Sequence, residues 1–259
     1  MLSYQHGYHA GGPADLHKHI VLAELLARLT TKPRALGCFE THAGRGLYDL
    51  AAPEALKTGE AAQGIARIAP DPATPFGRAL AAVRAAHGPS AYPGSPLIAR
   101  ELLRPQDRLT LFELHPAEHA ALAAALRRAP GTAVHRRDGF AGVLARVPPP
   151  TRRGLVLVDP SYEVKGEYAA TAAFVRELVG TWPEATVLVW YPLLPAARHR
   201  ELLAGLAPLR AAVDEARFDP PPARGMTGSG LALVGAPHGA AAVAFAAARE
   251  QAAPALAPA

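Results

Sequence analysis

Apolar residues recur along this chain in two rhythms, and the alternation between them sets out its elements. From Pro13 and Ala14 onward, Leu16, Ile20, Leu22, Leu25, Leu26 and Leu29 supply the core-facing side of a helix, with Pro13 where a helix start accepts it. Short unbroken apolar runs read instead as strands buried on both faces of a parallel sheet. Ala35 to Phe39, Leu109 to Phe112, Leu155 to Val158 and Thr186 to Tyr191 are such runs, and Ala133 to Arg136 is a weaker one. Helical stretches follow at Pro116 to Ala129, from Asp138-Gly139 to Arg146, at 168 to 180 and at Pro195 to Leu206. Strands alternating with helices predict an α/β, Rossmann-like fold with a mostly parallel sheet. Segments 209–218 and 229–236 predict an antiparallel hairpin that closes it. Beyond Pro237 the alanine-rich tail predicts a marginal helix that frays toward the end.

One region breaks the rhythm. Between 47 and 92 the chain is interrupted by Pro53, Pro70, Pro72, Pro75 and Pro89, with alanine-rich helical pieces between them. It predicts a small inserted helical lobe, leaving 1–46 and 93–259 as one domain. Arg67, Arg78, Arg84 and His87 on that lobe either face a polyanion or form an ordinary solvated helix face.

Composition narrows the possibilities. The chain has 259 residues, half of them apolar, which suffices for one sizeable core. A formal net charge of +5 favours a polyanionic partner. A single cysteine, Cys38, excludes both a disulfide framework and a cysteine-rich zinc site. The histidines His6, His9, His17 and His19 show no diagnostic metal spacing, and no metal is expected. Apolar runs end at arginine or proline well short of a membrane span, and nothing reads as a signal peptide. A cytoplasmic protein is the expectation.

The candidate chemistry sits at strand ends. Glu40 ends the first strand and is followed by Gly44-Arg45-Gly46, a loop where backbone can pass close to a nucleoside. Glu113 and Asp138 follow the next two strands, and Asp159 follows the run Leu155 to Val158. Carboxylates therefore collect along the carboxyl edge of the sheet, where open α/β sheets bind ligands. After Asp159 come Pro160, which stiffens the turn, and Tyr162, an aromatic face for a planar base. Ser95 is placed to cap the helix that Pro96 begins.

Asp159-Pro160-Ser161-Tyr162 resembles the [Asp/Asn]-Pro-Pro-[Tyr/Phe] motif of S-adenosylmethionine-dependent methyltransferases that modify exocyclic amines of adenine or cytosine, with Ser161 replacing the second proline. The opening Met1-Leu2-Ser3-Tyr4, His6, His9-Ala10-Gly11 and Lys18-His19 resembles that of the RlmJ-type 23S rRNA adenine-N6 methyltransferases. Thr41-His42-Ala43-Gly44, Tyr92-Pro93-Gly94-Ser95-Pro96 and Arg224-Gly225-Met226-Thr227-Gly228-Ser229-Gly230 are similar to further motifs of that family. Glu40 stands where the family usually has aspartate.

The resemblance implies S-adenosylmethionine as cofactor, contacted by His19, His42, Gly44, Ser95, Glu113, Asp138 and Gly139. Glu113 would serve the ribose hydroxyls and Asp138 the adenine amino group. It implies a catalytic set of Asp159, the Pro160 carbonyl, Tyr162, Tyr4 beside the target base, and Lys18 near a substrate phosphate or the pocket. The implied substrate is an accessible adenine of 23S rRNA, deproteinised or in an early assembly intermediate, met by a monomer. A DNA adenine or cytosine amino methyltransferase would share the same turn. A nicotinamide oxidoreductase is disfavoured by the missing third glycine and the closing hairpin. An RNA-binding homologue inactivated at Ser161 is the remaining alternative.

Overall fold

The computed structural model describes residues 5–222 and 225–258. In chain order these give α1 (Pro13–Thr30), β1 (Gly37–Glu40), β2 (Leu47–Asp49), α2 (Pro53–Thr58), α3 (Glu60–Gln63), α4 (Pro75–His87), β3 (Ala91–Pro93), α5 (Ser95–Leu102), β4 (Arg108–Phe112), α6 (Pro116–Ala125), β5 (Thr132–His135) and α7 (Gly139–Leu144). The second half adds β6 (Gly154–Val158), α8 (Glu167–Thr181), β7 (Ala185–Leu193), α9 (His199–Leu206), β8 (Ala212–Phe218), β9 (Gly228–Val234), α10 (Ala240–Gln251) and β10 (Leu256–Pro258).

Among the described residues the main sheet has the order β10-β8-β9-β7-β6-β1-β4-β5. From β5 to β7 the pairings are parallel, and β9, β8 and β10 add antiparallel strands on one side. This is the Rossmann-like α/β arrangement that the strand runs predict. β6 lies centrally and every residue of it is buried, which explains its unbroken apolar sequence. The first strand begins two residues later than expected and takes in Glu40, whose carboxylate is therefore fully buried.

Repeated entry signals start the helices. α1, α4 and α6 each have proline in the first turn, where the missing N–H costs nothing. Thr74 and His115 cap α4 and α6 through side chains that accept backbone N–H groups. Residues 47 to 93 open with β2 and close with β3, which pair antiparallel to each other. Phe76, Leu80 and Val83 of α4 join the same apolar core as α1 and α5.

The tail differs from expectation. α10 buries Ala240, Ala244, Phe245 and Ala248 and lies against α1. β10 then pairs with β8 and forms the sheet's edge. Small alanine side chains let two helices approach closely, so a sequence that looks marginal alone becomes an ordered element through tertiary packing. Among the described residues no helix is long and apolar enough to cross a membrane.

Candidate active site

The carboxyl ends of β1, β4, β6 and β7 surround a cavity of about 390 Å³, closed on one side by the start of α1 and the segment before it. That volume lies within the range of roughly 300–1,000 Å³ usual for small-molecule sites. His19, Lys18, His42, Gly44, Ser95, Glu113, Asp138, Gly139, Asp159 and Pro160 all line it. Strand ends and loops spread over some 140 residues of sequence thus meet at one place. Tyr4 lies outside the described residues, as does Arg224 of the later motif.

One side of the cavity is built from the glycine loop and strand-end acids. Gly44 has φ 62°, and a Cβ there would meet the Tyr48 hydroxyl at 2.5 Å; only glycine fits both demands. Its N–H donates to Glu113 Oε2 at 2.8 Å, and the His115 N–H donates to Oε1 at 2.7 Å. Burial nevertheless pushes the Glu113 carboxyl above its ordinary range. Asp138 is exposed and caps α7, its Oδ1 accepting from the Ala141 N–H at 2.8 Å. A Cβ on Gly139 would sit 1.8 Å from the Thr41 carbonyl oxygen. This close approach brings the start of α7 against the loop after β1. His42 stands edge-on to Phe140, bonds Thr41 Oγ1 at 2.8 Å, and is kept neutral by burial.

Ser95 does not cap α5. Gly94 holds the cap position without a side-chain bond, and Ser95 Oγ instead donates to Glu40 Oε2 at 2.7 Å. Glu40 Oε1 has no partner among the described residues. Burial raises this acid to about 8, and it lies beneath Ser95, outside the residues that line the cavity.

The opposite side centres on Asp159. Its Oδ2 accepts from Lys18 Nζ at 2.6 Å, and its Oδ1 takes no bond from the described residues. Lys18 also bridges Asp15 at 3.2 Å. Burial alone would lower the Lys18 pKa, but Asp159 and Asp15 outweigh it and hold the ammonium charged. Asp15 is 2% exposed and also accepts from His6 Nε2 at 3.0 Å and the Gly11 N–H at 2.9 Å. Those cationic and hydrogen-bonding neighbours overcome its burial and keep it ionised. His19 bonds the Tyr92 hydroxyl through Nδ1 at 3.0 Å, and burial drives its pKa down to about 3.

Tyr162 is placed differently from the sequence reading. Its backbone is left-handed (φ 56°), unusual for a bulky residue. Its ring stacks on Tyr168, with centroids 4.5 Å apart, and its hydroxyl donates to the Trp190 carbonyl at 2.8 Å. It is not among the residues that line the cavity, whereas Trp190 is. Asp15 and Trp190 also line the cavity, although neither stands out in the sequence. Asp15 sits one turn before Lys18-His19, where an acid looks like ordinary helix-start chemistry. Trp190 lies in an apolar strand and looks like core.

The family described as ribosomal RNA large subunit methyltransferase D, RlmJ, matches residues 33–248. The chain belongs to the RlmJ family. Ribosomal RNA large subunit methyltransferase J of Escherichia coli K12 is 35% identical over 92% of this chain and 88% of its own length. Its Haemophilus influenzae namesake is 36% identical over the same shares. A crystal structure of a Legionella pneumophila protein is 32% identical with a TM-score of 0.82, covering 96% of both chains. As a member of the RlmJ family, the protein is a methyltransferase, and its reaction draws on a methyl donor.

Proposed function

We propose that the protein transfers the methyl group of S-adenosylmethionine to the N6 amine of an unpaired adenine in 23S ribosomal RNA. The observation that carries this reading is Asp159, held at the carboxyl end of the central strand by Lys18, with its second oxygen taking no bond from the described residues and Pro160 directly after it. The names of the relatives support a ribosomal RNA substrate.

The residues fit a sulfonium nucleoside. Glycine at 44 lets the loop turn close against the Tyr48 hydroxyl at the cavity wall, and Glu113 and Asp138 offer carboxylate oxygens to ribose hydroxyls and an amino group. When bound, S-adenosylmethionine supplies an electrophilic methyl group, so no metal need activate it.

The protein's part is to bind, orient and polarise. The adenine amine is a poor nucleophile because its lone pair is delocalised into the ring. Asp159 Oδ1 and the Pro160 carbonyl accept its two N–H groups and draw the nitrogen toward tetrahedral geometry. Lys18 fixes Asp159 Oδ2, so the free oxygen has a defined direction. Asp159 or water takes the proton as the amine becomes acidic. The base must be unpaired or flipped to enter. Basic residues hold the flanking phosphates, and binding weakens as salt rises. On the inserted segment Arg78 and His87 are exposed and available for this, whereas Arg67 Nη1 donates to the Asp219 carbonyl and Arg84 Nε to the Ala91 carbonyl. A monomer acting in the cytoplasm on deproteinised or early-assembly rRNA completes the reading.

The test is methyl transfer from labelled S-adenosylmethionine to 23S rRNA from a strain lacking the gene, to wild-type rRNA and to duplex DNA. Label as N6-methyladenosine on the unmodified rRNA is expected. Label on DNA would move the protein to the DNA amino methyltransferases. Donor binding without transfer to any of them would overturn the reading.

A further inference from the structure

Behind the Asp159 side of the cavity runs a chain of buried polar side chains that the proposed reaction does not use. The Trp190 Nε1–H donates to Ser229 Oγ at 2.9 Å. Ser229 Oγ lies 3.0 Å from His17 Nδ1, and His17 Nε2 lies 3.1 Å from Asp214 Oδ2. Arg249 closes on the other Asp214 oxygen. His17, Ser229 and Asp214 are all essentially inaccessible.

The direction of these bonds follows from the donors available. An indole N–H only donates, so Ser229 accepts from Trp190 and must pass its own proton on. Among the described residues the acceptor is His17 Nδ1, which leaves Nε2–H to donate to Asp214. Burial alone would raise the Asp214 carboxyl, but the His17 and Arg249 bonds outweigh it and keep it ionised. Every member is satisfied, and the chain runs one way from indole to carboxylate. The order carboxylate, imidazole, hydroxyl is that of a hydrolase triad. Here Ser229 is fully buried and already serves the indole, so no substrate carbonyl reaches it.

Burying such a network costs free energy that an apolar filling would not. Its one end in the cavity is the Trp190 ring. That ring also packs on Tyr162, with centroids 6.1 Å apart, and lies 5.6 Å from Lys18 Nζ. Lys18 in turn grips Asp159. The indole is thus held by the relay on one side and linked to the acid through Lys18 on the other, while Tyr162 is not among the residues that line the cavity.

We propose that Trp190 is the wall against which the target base packs, and that His17, Ser229 and Asp214 form a positioning relay that fixes the plane of the indole. This rests on the base-modifying reading above. The sequence contains two tryptophans, and Trp182 is fully buried elsewhere in the core, so Trp182→Phe leaves Trp190 as the single reporter.

The experiment combines fluorescence with kinetics, after thermal unfolding has shown that each variant folds. With the donor site filled by saturating S-adenosylhomocysteine, AMP should quench Trp190 fluorescence, and more weakly in Ser229→Ala. If Trp182→Phe does not fold, the difference between wild type and Trp190→Phe reports the same signal. Trp190→Leu should lower kcat/KM roughly 10- to 100-fold, the range for a base that loses an aromatic partner, and Trp190→Phe much less. Ser229→Ala and His17→Leu should each cost about threefold to tenfold, the scale of one hydrogen bond. In a Trp190→Leu background they should cost nothing further. An equal cost in both backgrounds, unchanged kcat/KM in Trp190→Leu, or no quench by AMP would overturn the proposal. A wild-type enzyme that methylates no adenine would count against the reaction instead, while a quench by AMP in the same protein would still uphold the wall.

Discussion

The parallel strands from β5 to β7 and the antiparallel strands β9, β8 and β10 contribute to the cavity in different ways. In the parallel part each strand runs toward the cavity and ends there, so Glu113, Asp138 and Asp159 arrive by the same geometry. In the antiparallel part the loop before β9 brings Met226 to the cavity, while β8 and β9 place the buried Asp214 and Ser229 behind Trp190 of β7. The acids that face the cavity come from strand ends, whereas the polar groups behind Trp190 come from β8, β9 and α1. A polar residue in a strand interior is therefore worth asking what it orients.

The largest effect on stability is expected at the tail. If α10 were a fraying appendage, Phe245→Ala would change little. Packed as it is against α1, the substitution should cost about 3 kcal/mol in urea-induced unfolding. On the parallel side, Gly139→Ala forces a Cβ onto the Thr41 carbonyl and should cost roughly 2 kcal/mol. It should weaken donor binding more than Phe245→Ala does, because it shifts the loop carrying His42 and Gly44.

Glu40 gives a smaller, pH-dependent effect. Its pKa is raised from 4.5 to about 8, so the folded protein holds a proton there that the unfolded chain releases. Its contribution is fully present below about pH 4.5 and is lost as pH rises to about 8. Glu40→Gln should therefore raise the melting temperature relative to wild type at pH 9 and not at pH 4, read by calorimetry. Arg152→Ala breaks only an exposed pair with Glu184. It should change stability by less than about 0.5 kcal/mol, a control for the other three.

How far these features could be read beforehand follows the same division. Buried parallel strands write themselves as unbroken apolar runs, and the acids that end them stand out against that background. Thr41 to Gly44 and Asp159 to Tyr162 fall on those loops, whereas Lys18-His19 lies in α1 and Tyr92 to Pro96 joins β3 to α5. The tail was underestimated because alanine carries little hydrophobic signal of its own, and only the facing α1 turns it into a packed surface. Ser95 was read as a cap because its local sequence permits one; the pull of a buried carboxylate 55 residues away is a tertiary fact. Tyr162 follows the motif's spelling, yet a left-handed backbone turns its ring to Tyr168. His17 and Asp214 are nearly 200 residues apart, and no local pattern links them.

The central claim is that Asp159 polarises the amine that receives the methyl group. Single-turnover methyl transfer to unmodified 23S rRNA, comparing wild type with Asp159→Asn and Asp159→Ala after both are shown to fold and bind donor, tests it most directly. Donor binding should persist while the rate falls by about a thousandfold or more, as when a preorganised charge acceptor is removed. Transfer at an undiminished rate in either variant would contradict it.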